Sequence, residues 1–173
     1  PERTDVKAEA KTENNEGTVT ASVVISSPIT GIAADLATAP DEAFAGRMMG
    51  DGAVVTPTDA VIVAPEDGEV AFVFDTTHAI GFMGDSGVSL LLHIGIDTVK
   101  LDGKGFEVFV ENGQKVKKGD KLMQIDMDYI KENAPSLCSP ILCTELEGNQ
   151  RIKLLAVGAV KAGEPLFAVE TYN

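Results

Sequence analysis

Short apolar runs rich in Val, Ile, Leu and Phe, separated by Gly, Pro and Asp, make up most of the chain from Val19 onward. Runs of this kind are typical of β-strands, and frequent turn residues between them are typical of a sandwich or barrel. The pattern predicts strands at residues 19–25, 60–64, 69–74, 88–94, 106–110, 121–125, 153–157 and 165–169. Helical spacing of apolar residues is found only at residues 128–134. The chain is therefore predicted to be all-β, an antiparallel β-sandwich with one or two very short helices.

An internal repeat indicates that the sandwich is built from a duplicated half-motif. Residues 116–122, with the sequence VKKGDKL, recur as residues 160–166, with the sequence VKAGEPL. The tetrapeptide PITG at residues 28–31 likewise recurs as PEDG at residues 65–68. In each copy a glycine turn leads into an apolar strand, so we expect two related halves packed face to face.

The first residues of the chain differ in composition from the rest. Residues 1–18 carry five acids and three bases and almost no large apolar side chain. A segment of this composition cannot bury enough surface to offset the entropy that it loses on ordering. We therefore expect residues 1–18 to be a flexible linker or tail, suited to join a preceding domain, and residues 19–173 to form one domain.

Charge and cysteine content exclude several classes of function. The chain has 14 Lys and Arg against 27 Asp and Glu, a net charge of −13, whereas nucleic-acid binding needs clustered basic residues. No apolar run is long enough to cross a membrane, so we expect no direct membrane insertion of this chain. The two cysteines, Cys138 and Cys143, are too few for a disulfide framework. They are interpreted as buried structural thiols in a cytoplasmic protein.

The only two histidines, His78 and His93, lie in one predicted hairpin. Its turn is the sequence GDSG at residues 84–87, where Gly and Asp permit the positive φ angles of a tight hairpin. If residues 85–86 form a two-residue loop, the ladder that continues from it places His78 directly opposite His93. A three-residue loop would instead shift the register and place one ring on the other face.

Two facing imidazoles suit the transfer of a chemical group. A neutral imidazole has a free lone pair near pH 7, so one ring can be the nucleophile while the other donates a hydrogen bond to the group transferred. The hydroxyls of Thr76 and Thr77 are placed to orient His78, and main-chain N–H groups at residues 94–98, after His93, are placed to meet an anion. No cofactor and no metal are expected, because catalytic zinc needs three protein ligands; a partial site completed by another protein's carboxylate stays open.

From about Val24 to Val169 the chain resembles the IIA domain of the glucose family of the bacterial phosphoenolpyruvate-dependent sugar phosphotransferase system. The motifs that carry the resemblance follow one another along the chain: FAGRMMGDG at 44–52, VAPEDG at 63–68, TTHA at 76–79, DSG at 85–87, HIGIDTV at 93–99, LDGKGF at 101–106 and GQKV at 113–116. The resemblance implies an antiparallel β-sandwich with a duplicated half-motif, in agreement with the repeat.

The resemblance also implies a function, that of a phosphotransferase with a phosphohistidine intermediate. The domain is expected to accept phosphate from the carrier protein HPr and to pass it to a cysteine of a IIB domain during sugar uptake. His93 corresponds to the phosphorylated residue, through Nε2, His78 to the partner that hydrogen-bonds the phosphoryl group, and Thr76 to the hydroxyl that orients His78. Such a domain is expected at the cytoplasmic face of the membrane, beside a fused or partner IIC permease.

The resemblance further implies a rim that binds partner proteins. Asp41 and Asp97 match two acids that face an arginine of HPr in family members. Phe44, Phe74 and Val99 are expected to form an apolar docking patch around the histidines. The identity of the sugar lies in the membrane component and is not expected in this domain.

Other classes of protein share parts of the pattern. The main alternative is a regulatory IIA-like domain, fused to a sugar transporter and phosphorylated on His93 for control only. A lipoyl or biotinyl carrier also uses V-x-x-G-x-x-L turns, but it needs a lysine displayed at a hairpin tip, which Lys104 in DGKG does not fit. A zinc peptidase on a similar β scaffold needs at least one more metal ligand than this chain offers.

Overall fold

A computed structural model describes residues 17–173. Residues 1–16, and with them nearly all of the predicted linker at 1–18, lie outside the described residues. The described strands are β1 (Val19–Ser26), β2 (Ile29–Asp35), β3 (Asp51–Val63), β4 (Gly68–Val73), β5 (Ala79–Gly84), β6 (Ser89–His93), β7 (Phe106–Val108), β8 (Lys115–Val116), β9 (Lys121–Ile125), β10 (Ser139–Cys143), β11 (Gln150–Leu154), β12 (Gly158–Val160) and β13 (Pro165–Tyr172). The helices are α1 (Glu42–Ala45) and α2 (Met127–Asn133), with 3₁₀ turns at Leu36–Thr38 and Thr98–Leu101.

The strands form two antiparallel sheets. The larger has the order β12-β2-β3-β10-β6-β5-β4-β8, with β9 pairing to β3 and β7 pairing to β9, and the smaller has the order β11-β13-β1. Apolar residues from both sheets enclose one main core, which includes Ile25, Phe82, Leu92, Leu122 and Phe167. The all-β fold with very short helices is therefore confirmed. Among the described residues, no helix has both the length and the apolar composition that crossing a membrane requires.

The two halves of the repeat adopt the same turn with the same hydrogen bonds. Gly119 and Gly163 take φ angles of 91° and 95°. An acidic side chain closes each turn. The carboxylate of Asp120 accepts the N–H of Lys117 at 2.9 Å, and the carboxylate of Glu164 accepts the N–H of Lys161 at 2.8 Å. The turn glycines also bond to the second repeated motif. The N–H of Gly119 donates to the carbonyl of Ala64, just before Pro65, and the N–H of Gly163 donates to the carbonyl of Ser27, just before Pro28.

These equivalent bonds show that the repeat seen in the sequence is structural. The first copy of the turn docks on the chain before Pro65, and the second docks on the chain before Pro28. The predicted duplicated half-motif is therefore confirmed, as two turns with equivalent hydrogen bonds. Both docking sites lie at strand ends, so the repeated turns hold the edges of the sheets together rather than forming the histidine site.

Most of the predicted strands are present, with differences where apolar residues are sparse. The strand predicted at 121–125 coincides with β9, and those at 19–25, 69–74, 88–94 and 165–169 correspond to β1, β4, β6 and β13. The strand predicted at 60–64 is only the end of the long β3, and the one at 106–110 ends at Val108. The prediction at 153–157 is wrong beyond Leu154, because Gly158 starts a new strand. The strands β2, β8, β10 and β12 and the helix α1 were not predicted.

The register of the histidine hairpin differs from the prediction. His93 pairs with Ala79, not with His78, because three residues, 85–87, separate the hydrogen-bonded Gly84 and Val88. The N–H of Gly84 donates to the carbonyl of Val88 at 3.0 Å, and Gly87 closes the turn with a φ of 94°. The prediction of a two-residue loop is therefore wrong. A left-handed glycine at the last loop position stabilises the longer turn.

A second, smaller apolar cluster lies on the outer face of the large sheet. Because side chains alternate along a strand, Leu90 and Leu92 of β6 face the main core while Leu91 faces this cluster. Its buried members are Leu36, Ala39, Phe44, Val54, Ala79, Leu91, Ile96, Cys138 and Leu142. The segment between β2 and β3, residues 36–50, contributes the first three of them and covers the cluster from outside.

Arg47 closes the base of this covering segment. Its guanidinium pairs with Asp35 at 3.2 Å and with Asp51 at 2.9 Å, and these acids end β2 and begin β3. The three side chains remain partly exposed, so each pair contributes only about 0.2–1 kcal/mol. The bridge therefore defines where the segment leaves and rejoins the sheet, while the apolar cluster supplies most of its attachment.

The pairing of β3 with β10 leaves no room for a side chain at Gly52. A Cβ built there would lie 2.0 Å from the carbonyl oxygen of Ile141. We predict that Gly52→Ala lowers the free energy of unfolding by about 1–3 kcal/mol, because the two strands must separate. Gly148→Ala is the matched control, since a Cβ at Gly148 meets nothing within 4 Å, and its effect should stay within about 0.5 kcal/mol. Equal urea midpoints for the two variants would contradict this packing.

Candidate active site

The two histidine rings meet at the edge of the second apolar cluster. Their centroids are 4.9 Å apart and their planes are inclined by 82°. His93, the last residue of β6, is partly exposed, whereas His78 is only 2% exposed. The prediction that the two imidazoles face each other is confirmed, although the strand register that led to it is wrong.

The rings meet because His78 stands just outside the regular strand. It precedes β5 in a turn where Thr77 takes a left-handed φ of 57°, so the alternation of faces along a strand does not apply to it. The N–H of Ile94 donates to the carbonyl of His78 at 2.9 Å, which ties the turn to the segment after His93. The N–H of Phe74 donates to the carbonyl of Ala79 at 3.0 Å and closes the same turn.

A hydrogen bond to the main chain determines the tautomer of His93. Nδ1 of His93 lies 2.9 Å from the carbonyl oxygen of Gly95. A carbonyl can only accept, so Nδ1 carries the proton and Nε2 carries the free lone pair. The nitrogen available for bonding to an electrophile is therefore Nε2.

His78 is held by a hydroxyl. Oγ1 of Thr76 lies 2.8 Å from Nδ1 of His78, and a hydroxyl can donate to this nitrogen. With that donation the remaining proton of a neutral His78 sits on Nε2, where it can serve as a donor. Thr77 has a different role from the one expected, because its hydroxyl donates to the carbonyl of Thr76 at 2.8 Å.

Burial keeps both histidines neutral near pH 7. The pKa of His93 is lowered to about 4, first by loss of hydration and then by the neighbouring His78, against the opposing effects of the hydrogen bond to Gly95 and the charge of Asp41. Burial also lowers the pKa of His78, against the opposing effect of a hydrogen bond to the main chain of Thr76. A neutral His93 has its lone pair available without a separate base to remove a proton.

Two phenylalanines pack against the imidazoles. The ring of Phe44 lies 4.9 Å from that of His93, at 55°, and the ring of Phe74 lies 5.3 Å from that of His78, at 77°. Phe44 comes from α1 and is only 7% exposed, so most of its surface faces His93 and the second cluster rather than solvent. Phe74 is partly exposed and remains available to a partner.

The predicted acids and Val99 lie at the rim. Asp41 caps α1 by accepting the N–H groups of Ala43 and Phe44, and its charge acts on His93. Asp97 is exposed, takes a left-handed φ of 58° and pairs with Lys100 at 3.5 Å. The Val99 side chain, in the 3₁₀ turn after Asp97, is 50% exposed. That these residues bind a partner stays a prediction.

Main-chain N–H groups after His93 are less available than expected. The N–H of Gly95 donates to Oγ of Ser139 at 3.0 Å, and the N–H of Ile96 donates to the carbonyl of Ser136 at 3.0 Å. Both groups are therefore used within the protein, and the expectation that they meet an anion is wrong for these two. The part of Gly95 that acts on the site is its carbonyl, a role that the glycine alone did not reveal.

Exposed apolar side chains extend the surface around the histidines beyond the predicted patch. Phe72 is 44% exposed and its ring lies 5.4 Å from that of Phe74. Met49, 47% exposed, lines a groove with Phe72, Phe74 and Leu91. The sequence analysis did not name Phe72 or Met49, because their exposure next to Phe74 depends on how the sheet folds.

Among the described residues, the set of side chains that could bind a metal ion is too small for a metal site. Within residues 17–173, no group of three or more His, Cys, Asp or Glu side chains is placed to hold a metal ion. Cys138 and Cys143 are free and buried, and burial raises the pKa of both thiols. The interpretation of the cysteines as buried structural thiols is confirmed.

Comparison with known proteins identifies the family. The model for the family "phosphoenolpyruvate-dependent sugar phosphotransferase system, EIIA 1" matches residues 23–149. The chain belongs to this EIIA family. This is the family that the motifs of the sequence predicted.

Relatives of this EIIA chain include both single-domain and longer proteins. It is 42% identical over 154 residues to the glucose-specific EIIA component of Bacillus cereus, which covers 88% of this chain and 93% of the relative. It is also 42% identical over 169 residues to the glucoside-specific EIICBA component of Staphylococcus carnosus, which covers 98% of this chain and 24% of the relative. The chain thus spans about a quarter of the length of that relative.

A solved structure supports the fold. The glucose permease IIA of Mycoplasma capricolum superimposes with a TM-score of 0.80 at 38% identity, and the match covers 86% of this chain and 96% of that one. The β-sandwich expected from the family resemblance is therefore confirmed.

The low pKa of His93 leads to a prediction about acid. Between pH 6.5 and about 4, the unfolded chain binds a proton at this residue that the folded chain does not. Stability should therefore fall as the pH drops through this window and be unaffected by His93 above it. We expect the His93 ring to titrate near pH 4 by nuclear magnetic resonance (NMR). Titration at the usual value near 6.5 would contradict the burial described here.

Proposed function

We propose that this domain accepts a phosphoryl group on Nε2 of His93 from HPr and passes it to a cysteine of a IIB domain. The observation that carries the proposal is the hydrogen bond from Nδ1 of His93 to the carbonyl of Gly95. It leaves a neutral ring with its lone pair on Nε2, at a partly exposed position next to a second imidazole.

The chemistry of the first transfer is a displacement between two imidazoles. Nε2 of His93 forms a bond to phosphorus while the N–P bond of the donor's phosphohistidine breaks, and the electron pair returns to the donor ring. The transferring group is loosely bonded to both nitrogens in the transition state, so positioning and electrostatics contribute most of the catalysis. Because donor and acceptor are both imidazoles, the transfer is close to balanced in free energy and is reversible.

His78 is proposed to stabilise the charge on the moving phosphoryl oxygens. With Thr76 donating to its Nδ1, the N–H on its Nε2 is a preorganised donor. The ring is 2% exposed and packed against Phe74, so it cannot easily turn away. In a site with little water such a hydrogen bond is stronger than in bulk solvent.

Partner proteins are proposed to bind the surface around His93. Asp41 and Asp97 supply negative charge for a cationic group of HPr, and the exposed parts of Phe74 and Val99 supply apolar contact. Charges at a rim mainly increase the rate of encounter, and the apolar centre contributes affinity.

The second transfer is proposed to take place beside a membrane permease. Relatives named EIICBA components contain a match to this domain within a chain about four times longer. We propose that a IIB cysteine thiolate attacks phosphorus, forms the S–P bond and releases the lone pair to Nε2 of His93. In this proposal the domain works at the cytoplasmic face, where sugar enters.

Removal of the accepting ring tests the site. The wild-type domain incubated with phosphorylated HPr should gain one acid-labile phosphate, and His93→Ala should gain none, because no other described imidazole exposes a lone pair. Intact mass spectrometry at neutral pH measures the stoichiometry. Normal labelling of His93→Ala would refute the assignment of His93.

Replacement of the second ring tests the role of His78. His78→Gln should still accept phosphate, because His93 is unchanged and glutamine keeps an N–H donor. Onward transfer to a IIB domain should be slower by about 10²-fold or more, because glutamine lacks the ring that Thr76 orients. Single-turnover transfer kinetics measure the effect, and an unchanged rate would remove His78 from the mechanism.

A further inference from the structure

We propose that Ser139 is a positioning residue for His93. Its buried hydroxyl holds the peptide group before Gly95, and the carbonyl of Gly95 in turn keeps the proton of His93 on Nδ1. The inference rests on the proposed function only in naming Nε2 as the accepting atom.

Ser139 is a fully buried polar residue at the start of β10. It is 0% exposed, its Oγ accepts the N–H of Gly95 at 3.0 Å, and its hydroxyl donates to the carbonyl of Leu137 at 2.8 Å. The single hydroxyl proton is used toward Leu137, so the lone pair directed at Gly95 is a fixed acceptor. β10 also pairs with β6, through Leu142 and Leu91, so Ser139 is carried on the strand next to the one that ends at His93.

Gly95 needs external support to keep its conformation. Its φ is 76°, and a Cβ there would lie 2.6 Å from Cγ2 of Thr98 and 3.1 Å from the carbonyl oxygen of Ser136. Glycine is required at this position, yet glycine is also the residue with the least intrinsic backbone restraint. Contacts from neighbouring elements must therefore fix the direction of its carbonyl.

Both peptide groups that flank Gly95 are held from the segment that leads into β10. The N–H of Gly95 donates to Oγ of Ser139, and the N–H of Ile96 donates to the main-chain carbonyl of Ser136. The second bond uses only backbone, so Ser139 supplies the side-chain hydroxyl of this pair. With both planes fixed, the Gly95 carbonyl points at Nδ1 of His93 at 2.9 Å.

Loss of the hydroxyl would act on His93 through this chain of contacts. In Ser139→Ala the buried N–H of Gly95 has no acceptor, which costs enough free energy to favour rotation of the peptide group between Ile94 and Gly95. That rotation changes φ of Gly95 and so strains the next peptide group, which carries the Gly95 carbonyl. Once the Gly95 carbonyl turns away, nothing keeps the His93 proton on Nδ1. In the other tautomer the proton lies on Nε2 and blocks the atom proposed to bond to phosphorus.

The experiment measures the tautomer directly and the transfer separately. Ring ¹⁵N shifts of His93 distinguish the N–H nitrogen from the lone-pair nitrogen, and assignment is simple because the chain has two histidines. Ser27→Ala is the matched control: Ser27 is also a 0% exposed serine, and its hydroxyl bonds only to the main chain of Ile29, between β1 and β2. Both variants lose a buried hydroxyl, but only one loses the Gly95 contact.

We expect wild type and Ser27→Ala to show the proton on Nδ1 of His93, and Ser139→Ala to show a mixture of tautomers. With phosphorylated HPr, the kcat of Ser139→Ala should fall about tenfold or more while the KM stays unchanged, because misplaced reacting groups slow the chemical step. A Ser139→Ala protein with the wild-type tautomer would overturn the inference, as would an equal loss of kcat in Ser27→Ala.

A further variant covers the case in which Ser139→Ala does not fold. Ser139→Cys keeps a side chain of similar shape, but its sulfur accepts hydrogen bonds weakly. A mixture of His93 tautomers in this variant supports the inference, and a proton found only on Nδ1 overturns it. Failure of the proposed function would show differently, as a wild-type domain with the Nδ1 proton that phosphorylated HPr does not label.

Discussion

The chemistry proposed for this domain depends on one interaction, the hydrogen bond between Nδ1 of His93 and the carbonyl of Gly95. An imidazole has two nitrogens, and without such a bond either can carry the proton. Here the main chain assigns the proton to the inner nitrogen and the lone pair to the outer one. The surrounding structure can then be understood by how it holds this one carbonyl in place.

The fold separates a repeated scaffold from a site that is not repeated. The two equivalent turns around Gly119 and Gly163 hold the edges of the sheets, and the site residues lie in other segments. Within the site the chain leaves regular geometry at Thr77, Gly95 and Asp97, which all have positive φ angles. Backbone of this kind persists only where neighbours impose it. The repeated turns therefore belong to the scaffold, and the two histidines lie where the chain departs from the repeat.

The sequence predicted the features that depend on local pattern and missed those that depend on long-range contact. β9 was found because it has three large apolar residues, Leu122, Met123 and Ile125, within five positions, whereas β2 has only Ile29 and Ile32 within seven. The hairpin register failed because loop length depends on whether Gly87 takes a left-handed angle, which composition does not decide. The partnership of Ser139 with Gly95 joins residues 44 apart, and no local pattern signals it.

Unequal burial gives the two histidines different roles. His93 is partly exposed, so a partner's phosphoryl group can reach it, while the buried His78 approaches it edge to face from within the protein. Burial lowers the pKa of both rings, so two cations do not repel each other across the 4.9 Å between their centroids. An anionic phosphoryl group would favour the protonated form of any nearby imidazole. A neutral pair that gains positive character only when phosphate arrives is suited to a carrier that must also release it.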